Sequence, residues 1–388
     1  MSNLPKGWEL VQLNDIVKFS NGKGHEQYID DNGEYIVVNS KFISTNGEVK
    51  KYSNENLSPL RSGDITMVMS DIPNGRALAK CFLINEDNKY TLNQRICSLQ
   101  SKKDNNKFLF YKLNRNKYFM KFNDGVNQTN LRKNEVLECP IELPPLEEQK
   151  KIVDILSTVD KKIVFVEENI NATEELKKGL MQKLLTEGIG HTEFKDSELG
   201  RIPESWEVVQ QSEVAIFYNG RAYKLSEWEG VGTPVIRLQN LTGTGTEYYY
   251  STLQLPEHQY CINGDLLYMW SATFGPVWWK GEKAIYHYHI WKITTEENKL
   301  DRNFLFYLLD QITVRMKKQS HGSTMIHVTK GGMEKLKIQL PPLEEQKQIA
   351  EILSTVDKKI ENLKEKKQSF EELKKGLMQK LLTGEVRV

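Results

Sequence analysis

His287 and His289 stand two apart in the run Ala284-Ile285-Tyr286-His287-Tyr288-His289-Ile290-Trp291. Read as one strand, the run presents both imidazoles on the same face, because strand side chains alternate. Two imidazoles can begin a metal site, but such sites need three or four ligands and no further one is close in sequence. Contact with a base edge and plain packing are the competing readings. Catalytic chemistry finds no home. There is no G-x-x-x-x-G-K-S/T phosphate loop, and Gly22-Lys23-Gly24 lacks the third glycine of a dinucleotide fingerprint. The G-x-S-x-G elbow and the H-E-x-x-H metal motif do not occur. Both Pro-Pro pairs sit between leucines, unlike the Asn/Asp-Pro-Pro-aromatic motif of amino-methyltransferases. Carboxylates are plentiful but dispersed, and no pair is singled out for acid–base work.

Around the histidines lies a section rich in Trp and Tyr: Tyr248 to Tyr250, Trp270, Trp278, Trp279 and Trp291. Aromatics at alternating spacing suit a sheet core. Stacking on nucleic-acid bases is the sharper reading, and carbohydrate binding by exposed Trp is a third. Net charge is only +1, yet residues 101–121 hold seven Lys/Arg against one Asp, and residues 298–318 hold five against two. Local basic stretches of this kind can follow a phosphate backbone, or merely solvate helix faces.

The elements that must position these residues come from a chain of 388 residues, 39% hydrophobic and 27% charged, which fits two or three globular domains. No apolar run reaches the length of a membrane span, and MSNLPKGWEL does not read as a signal peptide. Cys81, Cys97, Cys139 and Cys261 are scattered, which suits reduced thiols in a cytoplasmic protein.

The chain repeats itself. Residues 143–186 return at 340–383 with 32 of 44 positions identical. Both copies open on Leu-Pro-Pro-Leu-Glu-Glu-Gln, carry ILSTVDKKI and end EELKKGLMQKLLT. Fainter echoes extend the duplication. Leu4-Pro5-x-x-Trp8-Glu9 matches Ile202-Pro203-x-x-Trp206-Glu207, and Asn21-Gly22-Lys23 matches Asn219-Gly220-Arg221. Ser62-Gly63-Asp64-Ile65 resembles Asn263-Gly264-Asp265-Leu266, and Phe108-Leu109-Phe110-Tyr111 matches Phe304-Leu305-Phe306-Tyr307. Between these anchors the halves diverge, so the frame is duplicated and the filling is not.

The filling reads as mixed α and β. Tyr35 to Val38, Ile65 to Met69, Leu266 to Trp270 and the run 284–291 read as strands bounded by Gly, Asn and Asp. Segments from Phe108 and Phe304 read as helices. The long repeats are helices of about 40 residues, roughly 60 Å at 1.5 Å per residue. Their seam runs Ile152, Leu156, Val159, Ile163, Val166, Ile170, then Thr173, and in the second copy Ile349, Leu353, Val356, Ile360, Leu363, Lys367, Phe370. The next step, to Leu176 or Leu373, is a phase slip. An apolar stripe this long needs a partner, and the nearest is the other copy, packed antiparallel by pseudo-twofold symmetry. The expected order is a recognition-sized domain at 1–142, a spacer helix at 143–187, a linker at 188–201, a second domain at 202–339, and a helix with tail at 340–388. The fold class is α+β, with the two termini close together.

The doubled PPLEEQKxI…LSTVDKKI…ELKKGLMQKLLT, with GIGHTEFKDSELGRIPESWEV between the copies, resembles the specificity subunit of type I restriction–modification systems across the whole chain. The resemblance implies a subunit without catalysis of its own. Two target-recognition domains each read half of a bipartite, asymmetric site on double-stranded DNA, while the two helices form an antiparallel coiled coil that spaces them. It implies two methyltransferase subunits docked on this frame, and further restriction/translocase subunits. The complex, rather than this chain, would use S-adenosylmethionine, ATP and Mg2+. A related system with a fused nuclease–methyltransferase partner is one alternative; a coiled-coil protein adaptor that binds no DNA is another.

The resemblance also places shared N-G, G-D and late G-x-x-x-x-N/H positions on Asn21-Gly22, Gly63-Asp64, Gly125 and Asn130. In the second half they fall on Asn219-Gly220, Gly264-Asp265, Gly322 and His327. Polar neighbours are the candidates for DNA contact: Lys23, Asn93, Gln94, Arg95, Asn127, Gln128 and Asn130, then Arg221, Arg237, Gln239, His287, His289, Ser323, Thr324 and His327. Arg suits guanine, and Asn or Gln suits adenine, by paired major-groove bonds. Lys102, Lys103, Lys107, Arg115, Lys317 and Lys318 would serve phosphates.

Overall fold

The computed structural model describes residues 4–71, 77–122, 129–271, 273–319 and 329–388. The chain forms two compact units: Met1–Glu167 with Lys366–Val388, and Glu168–Glu365. The boundaries fall inside the two long helices, Leu146–Leu184 and Leu343–Leu381, so each helix contributes to both units.

Among the described residues the first unit holds, beside two short strand pairs, two larger sheets. One is antiparallel, in the order Val17–Asn21, Ile96–Ser101, Ile65–Val68, Cys81–Leu83. The other places Tyr35–Val38 between Tyr52–Ser53 and, in parallel, Tyr90–Leu92. Ile65–Val68 is buried throughout and joins them: Ile65 and Met67 enter one core and Val68 the other. Such a strand reads as a continuous apolar run because both its faces are covered. The second unit repeats the plan. Its antiparallel sheet runs Ala215–Asn219, Ile290–Thr295, Leu266–Ser271, Thr273–Trp278. Its second sheet runs Tyr249–Ser251, Thr233–Ile236, Ala284–Tyr286, Tyr260–Cys261. Leu266 and Tyr268 face one core, Leu267 the other. The helices expected from Phe108 and Phe304 are Asn106–Leu113 and Arg302–Gln319.

The doubled Leu-Pro-Pro-Leu-Glu-Glu-Gln does the same work in each unit. The Gln149 side chain accepts from the Asn105 amide (2.9 Å) and donates to the Pro144 carbonyl (2.9 Å). Gln346 accepts from the Asp301 amide (2.8 Å) and donates to the Pro341 carbonyl (2.8 Å). Asn105 and Asp301 in turn cap the helices that follow them. The second glutamate of each motif sits beneath a tryptophan, Glu148 buried and Glu345 half-buried. Glu148 accepts from Trp8 Nε1 (3.1 Å) and from both Nε and Nη2 of Arg387. Glu345 accepts from Trp206 Nε1 (3.0 Å) and faces His191 Nε2 (2.8 Å). Arg387, the penultimate residue, also donates to the Lys6 carbonyl (2.9 Å), which holds the C-terminal tail against the N-terminal segment.

Each core is completed by helix ends. Ile152, Leu156, Leu377 and Leu381 close the first unit's core, and Leu180, Leu184, Ile349 and Leu353 close that of the second. Within each unit the helical segments run antiparallel. Glu167 pairs with Lys367 and Asp160 with Lys374; Glu174 pairs with Lys364 and Lys177 with Asp357.

Two sequence expectations are corrected. The seam has no phase slip: Leu176 and Leu373 are 53% and 49% exposed. After Thr173 and Phe370 the stripe steps by four to Lys177 and Lys374, then to Leu180 and Leu377, an unbroken heptad. A lysine fits the seam because its stem is buried while its ammonium reaches a carboxylate. Lys177 lies 5.6 Å from the Tyr307 ring and 2.7 Å from Asp357; Lys374 lies 5.7 Å from Tyr111 and 2.6 Å from Asp160. Tyr111 and Tyr307 donate to the same aspartates, at 2.5 and 2.8 Å. The remaining seam positions, Val159, Ile163, Val166, Ile170, Val356, Ile360 and Leu363, are buried or half-buried as expected. The second correction concerns 284–291, which is not one strand. Ala284–Tyr286 and Ile290–Thr295 belong to different sheets, and His287–His289 is the turn between them.

Candidate nucleic-acid interface

That turn has a counterpart. In the first unit Asn93-Gln94-Arg95 connects Tyr90–Leu92 to Ile96–Ser101, also crossing from one sheet to the other. The same backbone bonds hold both turns. The Ile96 amide donates to the Asn93 carbonyl (3.3 Å), as Ile290 does to His287 (2.9 Å). Gly22 donates to Ile96 (3.1 Å) and Gly220 to Ile290 (3.0 Å); Lys23 donates to Leu92 (3.0 Å) and Arg221 to Tyr286 (3.2 Å). Gln94 donates to Lys23 (2.9 Å), as Tyr288 does to Arg221 (3.1 Å). Met69 donates to Arg95 (2.9 Å), as Trp270 does to His289 (3.2 Å).

The duplicated Asn-Gly explains how the strand end comes so near. A Cβ added to Gly22 would lie 1.9 Å from the Asn93 carbonyl oxygen, and one added to Gly220 would lie 2.2 Å from that of His287. Both positions therefore require glycine for close backbone approach.

On this shared cradle the side chains differ throughout. In the first unit Lys23, Gln94 and Arg95 are exposed, and Arg95 holds a left-handed φ of 69°. Gln94 Nε2 donates to Glu26 (2.6 Å). Asn93 Oδ1 is buried without a hydrogen-bond partner among the described residues. A cleft of about 240 Å³ opens beside the turn, lined by Asn21, Gly22, Met69, Ser70, Arg95, Ile96, Asn130 and Leu131. Asn130 reaches it through a short pairing of Thr129–Asn130 with Ser70–Asp71. Five residues named from sequence, Asn21, Gly22, Asn93, Arg95 and Asn130, thus converge on the turn and its cleft.

In the second unit the surroundings are aromatic and cationic. Trp228 stacks between Tyr223 (4.9 Å) and Tyr249 (4.5 Å), with the His287 ring at 6.0 Å. The Arg237 guanidinium lies over Tyr249 at 4.2 Å and beside the Gln239 amide; that of Arg221 lies over Tyr223 at 4.5 Å and pairs with Glu227. Contacts of this kind are worth about 0.5–1.5 kcal/mol each and fix planar groups in place. His287 and His289 face each other at 5.3 Å, and Trp270 lies 5.3 Å from His289. Burial, with His289 and Arg237 nearby, lowers the His287 pKa to about 4, and burial lowers that of His289. Arg221, Arg237, Gln239, His287 and His289 are therefore one cluster. A guanidinium and aromatic rings surround the imidazoles, a setting for planar polar groups rather than for a cation.

Trp228 was missed from sequence. It lies in the unremarkable run Leu225-Ser226-Glu227-Trp228, and only folding brings it between two tyrosines. Much of the aromatic section is core: Trp291 is buried, and Trp270 and Trp278 pack on the same cluster.

The basic residues divide. Lys102 donates to the carbonyls of Asn14 and Asp15 (3.0 Å each). With Lys103 and Lys107 it lies past the far end of Ile96–Ser101, about 20 Å of strand away from the turn. These three do not join the cradle. Arg115 and Lys317 do approach it. The Arg115 amide bonds Ala79, whose amide bonds Val68, the strand partner of Ile96. Lys317 Nζ donates to the carbonyl of Phe274 (3.1 Å), the strand partner of Trp270. Lys318 lies instead in a groove with Glu174, Lys177 and Asp310. Asn127, Gln128, Ser323, Thr324 and His327, with Gly125 and Gly322, lie outside the described residues. No helix among the described residues is long and apolar enough to cross a membrane.

Comparison with known proteins agrees with this doubled arrangement. The profile of the type I restriction modification DNA specificity domain matches residues 5–175 and again 203–372. The MjaVIII type I restriction enzyme specificity subunit of Methanocaldococcus jannaschii is 30% identical, covering 99% of this chain and 94% of the relative. The putative MjaX specificity subunit of the same organism is 31% identical over 100% and 96%. Two solved structures share the fold. One, from work on assembly and conformational transition of the type I R-M system, has a TM-score of 0.62 at 20% identity and full coverage of both chains. The other, the S subunit of M. genitalium, has 0.57 at 15% identity, covering 98% of this chain and 97% of that one. The domain profile thus falls once in each half, and this chain belongs to the type I restriction–modification DNA specificity family.

Proposed function

We propose that each unit reads one half of a bipartite, asymmetric DNA site through the turn on its cradle. Asn93-Gln94-Arg95 with Lys23 and Asn130 would read one half, and His287-Tyr288-His289 with Arg221, Arg237 and Gln239 the other. The observation that carries this reading is the identity of the backbone cradle beside the complete difference of the three turn side chains it holds. A fixed backbone presenting interchangeable planar polar groups is what base-edge recognition requires. The chain is a specificity subunit and supplies no catalytic group itself; two methyltransferase subunits and the restriction/translocase subunits would dock on its frame. S-adenosylmethionine, ATP and Mg2+ would be bound by those partners. The paired long helices would set the spacer between the half-sites, and Arg115 and Lys317 would hold phosphates.

Replacing Asn93-Gln94-Arg95 by His-Tyr-His in the full complex tests the reading, since His tolerates the left-handed conformation at 95 better than most residues. Methylation-aware sequencing of the host genome should show a changed first half-site with an unchanged second half-site and spacer. A motif altered in both halves, or in neither, would refute it.

A further inference from the structure

The duplicated helices differ at few places, and these are not scattered. Between 143–186 and 340–383 twelve positions differ, and nine of them fall within 164–173 and 361–370. At their C-terminal ends the helices carry the same residues into the cores: Leu180, Met181 and Leu184 in one unit, Leu377, Met378 and Leu381 in the other. The buried ends therefore hold no information about which helix should pair with which. The seam ion pairs hold none either, because Asp160–Lys374 and Asp357–Lys177 use residues common to both copies.

The window does discriminate. At the differing positions the first helix carries Glu167, Asn169 and Ile170 where the second carries Lys364, Lys366 and Lys367, while Glu174, just beyond, has Glu371 as its counterpart. Glu167 pairs with Lys367 and Glu174 with Lys364, both at 2.7 Å. Two first helices, from two copies of the chain, would keep the same register, because their docking ends are the same residues. In the repeat, Glu167 stands where Lys364 does, and Ile170 where Lys367 does. Glu174 of one copy would then face Glu167 of the other, twice by symmetry, and Glu167 would face Ile170. Both attractions are lost and two repulsions replace them. Two second helices would oppose Lys364 to Lys367 twice, offset by Glu371 against Lys364.

We propose that this window is a pairing code. Glu167 and Glu174 make the first helix reject its own copy on another chain and take the second helix. Charges flanking a coiled-coil seam choose partners in this way, through repulsion as much as attraction.

The code makes an uneven prediction for the full-length chain. Glu167→Lys or Glu174→Lys alone spoils one pair within the chain and turns both Glu–Glu contacts between copies into Lys–Glu attractions. Making both changes spoils both pairs within the chain, yet restores repulsion between copies, now Lys against Lys. Two full-length copies with different tags, co-expressed so that pairing is chosen during folding, report the outcome as the mixed-tag fraction. Each single variant should raise that fraction about tenfold over the unsubstituted chain, the scale of two reversed exposed ion pairs. The double variant should fall back toward the unsubstituted level, and about 0.5 M salt should shrink the difference. Single variants that stay at the unsubstituted level, or a double variant that associates most, would overturn the code. Nothing in the assay depends on DNA reading, so it stands or falls apart from the proposed function.

Discussion

The turns Asn93-Gln94-Arg95 and His287-Tyr288-His289 hang from the same backbone bonds and share no side chain. One is hydrophilic and largely exposed; the other is part of a stack of rings and guanidinium groups that leaves its first histidine half-buried. The difference teaches where such a chain can change. Backbone bonds and the glycine beneath the turn are indifferent to the side chains they carry, so the reading residues can be replaced without rebuilding the frame. The long helices show the converse. Their C-terminal ends enter the cores and repeat residue for residue, and most of their divergence is gathered in one central window.

Substitutions in the frame should therefore act alike in the two halves, and those in the turns should not. The largest effect is expected at the glycines. A Cβ at position 220 would meet backbone atoms of His287 and Tyr286 at 2.2–2.5 Å, and neither can move without the turn. Gly220→Val should destabilise the second unit locally by about 2–4 kcal/mol and abolish recognition of its half-site; Gly22→Val should do the same to the first. Amide exchange over 284–291 and 90–97 would show it. Intact exchange protection in either variant would break the claimed equivalence.

Acid should separate the halves by an intermediate amount. His287 is held near 4, below the ordinary 6.5, so between these values the unfolded turn binds more protons than the folded one. Its stabilising contribution is complete above about pH 6.5 and is lost as the pH falls toward 4. Exchange at 284–291, corrected for intrinsic rates, should accelerate from pH 7 to pH 5. In the first unit the buried imidazole is that of His25, bonded to Thr91 (2.8 Å). His287→Asn should therefore weaken the acid response of 284–291 and leave that of 90–97 as it was; equal changes in both turns would contradict it.

The smallest effect sharpens the seam. Leu176→Gln and Leu373→Gln should each change the denaturation midpoint by less than about 0.5 kcal/mol equivalent. A loss several times larger at either would return Leu176 and Leu373 to the seam in place of Lys177 and Lys374.

Much of the frame was legible in the sequence, because local patterns encode it. The heptad stripe, the Pro-Pro helix starts and the doubled motifs need only near neighbours. The phase of the stripe was misread past Thr173 because a leucine outranks a lysine by hydrophobicity alone. Only the aspartate and tyrosine waiting beside Lys177 and Lys374 make lysine the better seam residue. The candidate reading residues were half legible. Asn93 to Arg95, and His287 with His289, were named from residue type, but their equivalence was hidden by taking 284–291 for a single strand. An alternating apolar run gives no sign of a sheet change in its middle. That change is set by bonds from Gly220, Arg221 and Trp270, which are far away in sequence.

By itself the sequence determined that there are two similar halves, that each carries a long helix in need of a partner, and which family they resemble, since repeats, periodicity and motifs are properties of the chain in order. The tertiary structure decided which residues form a site. Gly22 meets Asn93, Gly220 meets His287, and Trp228 enters between Tyr223 and Tyr249 only when strands distant in sequence are paired. It also decided what the buried Glu148 and the half-buried Glu345 do, because a carboxylate taken from water is tolerable only where partners converge on it: Trp8 with Arg387 for one, Trp206 with His191 for the other.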